Sequence, residues 1–328
     1  MNKFLRLVLL FALPILVLGI GLEIGLRNIP NDYVYKKEYL KNNADSIEIL
    51  FLGSSHAYFG INPQFINNKK SFNAGQVAQS VGYDYKILEH YFSNSQRLET
   101  IVLPVSYFSF HYKIETGTES WRVKNYSIYH DLYTTNRLND YSEILSNSVK
   151  SGLLRVSNYY LKNKAEIACS HLGYGLNNTY AKQRDLAETG AHTAKMHTYP
   201  ELEDFEENYQ AMLSIIKFAE QRNIKVLLYT PPAFETYVNN LYPVQLNKAI
   251  ATAQALDKAF ENTYYINLLQ DKSFVERDFY DADHMNEFGA EKLTKKIDSV
   301  LAGLNKDQQL HQQEPKPQVL TSSMEFQQ

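Results

Sequence analysis

Three short polar clusters carry residue types suited to covalent chemistry. The apolar run Ile49–Leu52 stops abruptly at Gly53-Ser54-Ser55-His56, a second cluster reads Asn73-Ala74-Gly75-Gln76, and a third spans Phe279 to Asn286 as FYDADHMN. A serine at a tight strand-to-helix turn presents its hydroxyl outward, and N–H groups of the same turn can bind an oxyanion. Asp281 precedes His284 by three residues. A carboxylate at that spacing can accept a hydrogen bond from imidazole Nδ1–H and leave Nε2 free as a base. Each cluster also has a plainer reading. The serines can be a solvated helix cap, Gly75 can merely close a turn, Asp281 and Asp283 can be acidic residues favoured by a helix dipole, and Asn286 can be an N-cap.

The elements that would position these clusters alternate. Strand signals cover 46–52, 71–74, 100–105, 225–230 and 264–268, and helical spacing covers 80–91, 203–222, 246–260 and 287–304. Strands alternating with helices predict a parallel sheet covered on both faces. In such sheets ligands bind beyond the carboxyl ends of the strands, which is where all three clusters fall. The stretch from about 110 to 200 breaks the rhythm. It is aromatic and polar, helical in patches over 141–160, and reads as a largely helical insertion over the core.

From Phe4 to Leu26 the chain is almost wholly apolar, with Lys3 and Arg6 on its N-terminal side. That length can cross a bilayer, and the flanking charges favour a cytoplasmic N-terminus. A cleaved signal peptide is the rival reading, but no small-x-small cleavage site stands out. Either way the rest of the chain is expected outside the cytoplasm, in the periplasm or at the cell surface. The expected organisation is a single-pass anchor over 1–28, a polar connector over 29–45, one α/β domain over 46–304, and a disordered Gln/Pro/Ser-rich tail over 305–328. A net charge of -3 supplies no basic field for nucleic acid. Cys169, the sole cysteine, excludes an internal disulfide and disfavours a thiolate metal cage.

Taken in order, the strand ending in Gly53-Ser54-Ser55, the Asn73-Ala74-Gly75 block and the Asp281-Ala282-Asp283-His284 block resemble the SGNH, or GDSL-like, hydrolase superfamily. The resemblance covers about 47–105 and 225–301, and it implies a three-layer, flavodoxin-like fold. It also implies Ser55 as nucleophile, His284 as general base and then acid, and Asp281 as the group that orients His284. The N–H groups of Ser55 and Gly75 would form the oxyanion hole. No metal or other cofactor is implied. Two departures stand out. The family's aspartate before the nucleophile is Ser54 here. The asparagine expected after the third strand is missing from Pro104-Val105-Ser106-Tyr107-Phe108-Ser109, where Ser106 or a backbone N–H is the available substitute. His56 and Ser106 are the remaining candidates for substrate contact.

An apolar N-terminal helix followed by such a domain is similar to D-alanyl-lipoteichoic-acid transfer proteins and to alginate or peptidoglycan O-acetylation proteins. That likeness implies a serine O-acyltransferase or esterase acting on an envelope glycan or lipid-linked polymer. The implied partners are an acylated or acyl-accepting glycan and a multi-pass membrane acyltransferase. A non-catalytic glycan-binding or assembly protein on the same fold is the alternative. A metal site built from His56, Asp281, Asp283 and His284 is a weaker third reading, because one acidic loop and a distant histidine make a sparse ligand set. The other histidines, His197 among them, have no partner at a telling spacing. The tyrosines of the insertion and Trp121 could stack on sugar rings or simply pack the insertion.

Overall fold

The computed structural model describes residues 3–311, with side chains through 304. Five parallel strands, β1 (Ile49–Phe51), β2 (Ser71–Asn73), β3 (Thr100–Pro104), β4 (Lys225–Thr230) and β5 (Thr263–Asn267), form one sheet in the order β2-β1-β3-β4-β5. This is the flavodoxin-like order, and its direction reverses between β1 and β3. Residue alternation divides the core into two layers. Leu50, Ile101, Leu103, Val226 and Leu228 face one cluster, while Ile49, Phe51, Val102, Leu227 and Tyr229 face the other. Both faces are buried, so the strands read as continuous apolar runs rather than as an alternation.

Among the described residues the α-helices are α1 (Lys3–Arg27), α2 (Asp32–Asn43), α3 (Ser55–Tyr58), α4 (Val81–Phe92), α5 (Val123–Tyr129), α6 (Val149–Lys162), α7 (Leu186–Met196), α8 (Phe205–Glu220), α9 (Glu235–Val238), α10 (Pro243–Ala259) and α11 (Glu287–His311). The first layer takes its apolar stripes from α2, α4, α8 and α10; the second takes Ala290, Leu293, Ile297 and Leu301 from α11. The α/β class and the helical insertion agree with the sequence reading. Phe110, Ile114, Val123, Tyr126 and Tyr129 of the insertion enter the first cluster, so it packs on the core.

Three boundaries differ from expectation. The connector over 29–45 contains α2, which buries Tyr33, Lys36 and Leu40 in the body of the fold. The first strand is shorter than 46–52, because Ala44–Ser46 forms a 3-10 turn instead. The last helix continues to His311, and the remainder of the expected tail lies outside the described residues.

Helix α1 is long and apolar enough to cross a membrane, and none of its most apolar window is buried against the protein. Its far end is held firmly. The Glu23 carboxylate accepts N–H groups of Glu143 and Ile144 at 3.0 Å each and the Ser142 hydroxyl at 2.8 Å. Arg27 donates to the Tyr141 carbonyl at 2.6 Å, and the Tyr160 hydroxyl donates to the Gly25 carbonyl at 3.1 Å.

Candidate active site

The turn after β1 depends on Gly53. Its φ of +116° lies where only glycine is comfortable, and a Cβ there would sit 2.5 Å from the Pro104 ring at the end of β3. The Gly53 N–H donates to Asp84 Oδ1 of α4 at 2.7 Å, and its carbonyl accepts the Gln76 N–H at 3.0 Å. The first and second clusters are therefore joined through the backbone. Asn73 adds a clamp, its Nδ2 donating to the Ala57 and Ile61 carbonyls at 2.7 Å each. Ser54 occupies the N-cap position of α3 but makes no side-chain cap, and its buried Oγ has no hydrogen-bond partner. The solvated-cap reading of the two serines is therefore not what the fold contains.

Ser55, half-buried at the start of α3, places Oγ 2.8 Å from His284 Nε2. His284 Nδ1 lies 2.9 Å from Asp281 Oδ1, which also accepts the His284 backbone N–H at 2.9 Å. The three-residue spacing lets one carboxylate oxygen fold the loop and hold the ring together. Asn286 does cap α11, its Oδ1 accepting the Phe288 and Gly289 N–H groups at 3.0 and 3.2 Å. A second carboxylate, Asp283, puts Oδ1 3.3 Å from the same His284 Nδ1. Burial works against a charged His284, but Asp283 and Asp281 outweigh it and hold the ring well above the ordinary imidazole range. Burial likewise opposes ionisation of Asp283, yet His284, His56 and His197 hold it well below the ordinary carboxylate range.

The remaining candidates are placed differently from their expected roles. The Gly75 N–H points to Asn73 Oδ1 at 3.0 Å, so this expected oxyanion donor is engaged inside its own loop. His56 is 6% exposed, with Nδ1 2.6 Å from Ser106 Oγ and Nε2 3.3 Å from Asp283 Oδ2. Ser106 is wholly buried, and its N–H donates to Ser109 Oγ at 2.8 Å. Neither His56 nor Ser106 is therefore open to substrate: a buried His56–Ser106 pair forms after β3, where the resemblance led to the expectation of an asparagine. The candidate metal ligands separate too. His56, Asp283 and His284 bring ligand atoms within 4.8 Å of one another, without Asp281. Every ring nitrogen in that group has a protein partner, while the buried Asp283 Oδ1 has no hydrogen-bond partner.

Several participants escaped the sequence reading. His197 joins the cluster, with Nδ1 3.0 Å from the Tyr237 hydroxyl and 3.8 Å from Asp283 Oδ2. Asp84 is fully buried, and burial pushes its carboxyl up to about 8 despite the bonds from Gln79 and Gly53. Lys36, also fully buried and pushed down to about 8 by burial, donates to the Gly75 carbonyl. Charged residues inside helices predicted to pack on the core were the available signal for Asp84. Nothing local marked His197.

No protein-family model matches the chain, and no curated protein matches it by sequence. Among solved structures it is similar to a provisionally assigned platelet activating factor from Streptococcus pneumoniae, at 12% identity over 89% of this chain and 98% of that one, with a TM-score of 0.42. It is also similar to a provisionally assigned acylhydrolase from Bacteroides fragilis (12%, 82% and 95%, TM-score 0.41) and a GDSL-like lipase from Bacteroides thetaiotaomicron (13%, 82% and 99%, TM-score 0.40). The roles proposed below rest on the chain's own geometry.

Proposed function

We propose that this chain is an SGNH-type serine ester enzyme working through an acyl-enzyme on Ser55. The observation that carries this reading is the continuous relay from Ser55 Oγ through His284 to Asp281, at 2.8 and 2.9 Å. Neutral His284 accepts the Ser55 proton at Nε2 as Oγ attacks the ester carbonyl. Asp281 holds Nδ1–H and offsets the imidazolium charge. The tetrahedral oxyanion takes the Ser55 N–H, which opens α3 and has no intrahelical acceptor. The Gly75 N–H joins only if it releases Asn73. Collapse expels the alcohol, protonated by His284, and a second nucleophile then takes the acyl group. Water makes the enzyme an esterase, and a sugar hydroxyl makes it an O-acyltransferase.

The apolar α1 supports a membrane-anchored protein with its main domain outside the cytoplasm, acting on acyl groups of an envelope glycan or lipid-linked polymer beside a multi-pass acyltransferase. The test uses the full chain in detergent, with a small acetyl ester as substrate and a serine-reactive phosphonate as label. Turnover and labelling are expected, and both should vanish in Ser55→Ala. A folded protein that takes no label at Ser55 would favour the second reading, a non-catalytic glycan-binding platform. The engaged Gly75 N–H and the missing asparagine after the third strand favour that alternative.

A further inference from the structure

Helix α6 packs against the C-terminal end of α1. A Cβ at Gly152 would lie 3.2 Å from Leu26 Cδ1, a Cβ at Gly25 would lie 3.9 Å from Val156 Cγ2, and the Tyr160 hydroxyl donates to the Gly25 carbonyl at 3.1 Å. Gly152, Val156 and Tyr160 form one ridge spaced four residues apart, so about two turns of α6 meet a single turn of α1. The helices therefore cross at that turn and do not run side by side. Arg155 points away from the crossing, into Glu143 and Glu166 at 2.6 and 2.9 Å.

The outer side of α6 is uncovered. Val149, Leu153, Leu154, Tyr160 and Leu161 fall within an arc of about 140° on the helix, and Leu154 and Leu161 are 57% and 81% exposed. Singly exposed leucines are ordinary, but these are gathered. Outside α1, nine of the seventeen exposed large apolar side chains among the described residues lie within 133–167. The same arc holds Lys150 and Ser157. At a lipid surface such a lysine lays its stem on apolar surface and lifts its ammonium into water, whereas a groove of a folded partner would bury the charge.

The position of the crossing selects the occupant. From Phe4 to Ile24, α1 rises roughly 30 Å at 1.5 Å per residue, the thickness of a bilayer's hydrocarbon core. Ile20 and Ile24, 52% and 54% exposed, keep α1 apolar up to the crossing. In a bilayer that receives α1, α6 would thus lie where the headgroups begin.

We propose that α6 is an interfacial helix, its Val149–Leu161 face seated in the headgroup–acyl boundary of the bilayer that α1 enters, with Lys150 reaching the lipid phosphates. The proposal rests on the membrane-anchored reading of α1 and is independent of the acyl-enzyme.

The test is the depth of single nitroxide labels on the full chain in vesicles of phosphatidylcholine and phosphatidylglycerol. Cys169 is buried, and the parent chain measures any label it takes. Labels are placed by Leu154→Cys and Leu161→Cys on α6, by Ile15→Cys near the middle of α1, and by Glu220→Cys at the exposed end of α8. Power saturation with oxygen and a water-soluble nickel chelate reads the depth of each. The two α6 labels are expected about 5–10 Å into the headgroup–acyl boundary, the α1 label in hydrocarbon and the α8 label in water. Water-exposed α6 labels beside an α1 label in hydrocarbon would overturn the proposal and leave the anchor, assigning the face to a protein partner. Labels on α6 immobilised and shielded from both reagents would overturn it in favour of a second copy of the chain. A water-exposed α1 label would remove the anchor and the proposal together.

Discussion

Asp283 Oδ1 lies 3.3 Å from His284 Nδ1, the same nitrogen that Asp281 holds at 2.9 Å. The imidazole facing Ser55 is thus held between two buried carboxylates, one in the loop that carries the ring and one beside His56 and His197. An arrangement of this kind stabilises the imidazolium more than a single aspartate would, with a kinetic consequence.

His284 must be neutral to take the Ser55 proton, yet both carboxylates raise its folded pKa above 6.5. Raising that pKa widens the pH range in which the ring is protonated, so kcat/KM on a small ester should rise with pH through the raised value. Asp283→Asn should move the acidic limb downward. A pH–rate profile checks this, and a limb at the same pH in both proteins would refute the role given to Asp283. The stabilising contribution of the charged ring has the opposite course: it is full below 6.5 and is lost as pH rises through the folded pKa.

Asp281→Asn keeps the shape of the loop but loses the charge and disturbs the tautomer. A fall in kcat of about 10²- to 10⁴-fold is expected, with KM little changed. Steady-state kinetics on the acetyl ester measure it. A loss of less than about threefold would mean that Asp283, not Asp281, orients the ring.

Asp84 is a protonated acid inside the fold at neutral pH, since burial lifts it from 3.8 to about 8. The unfolded chain releases that proton near pH 4 and the folded chain only near pH 8. Stability therefore falls as pH rises between those values and levels off above them. Asp84→Asn keeps an oxygen for the Gly53 and Gln79 donors and carries no proton to release. It should flatten this slope and unfold at higher denaturant than the parent at pH 8. Denaturant titrations at pH 5 and 8 decide it; parallel slopes in the two proteins would contradict the assignment.

Gly53→Ala introduces a side chain at φ +116° and drives its Cβ onto Pro104. A loss of about 2–4 kcal/mol is expected from the backbone strain and overpacking together. Equilibrium unfolding measures this directly, and a loss below 1 kcal/mol would show that the turn can relax.

Much of this site was legible in the sequence. Apolar runs that stop at glycine or asparagine located the carboxyl ends of β1 and β2, and the parallel topology brought residues 229 apart in sequence into contact, Ser55 with His284. The Asp281–His284 spacing was readable because the pair is local. The partners Asp84 of Gly53, His197 of Asp283 and Lys36 of Gly75 were not, since each pair is long-range and these three residues stand in no patterned motif. The fate of His56 was hidden for another reason. A histidine beside a serine nucleophile looks accessible until Ser106 and Asp283 are seen to occupy both its nitrogens.

The hydrogen bonds from Glu23, Arg27 and Gly25 to residues 141–144 and 160 remove the swivel expected of a chain hung from a single helix. A leash would let Ser55 roam a hemisphere of solvent. A rigid mast fixes its altitude and bearing, so under the proposed membrane-anchored reading Ser55 would meet only substrates delivered to one height above the layer that receives α1.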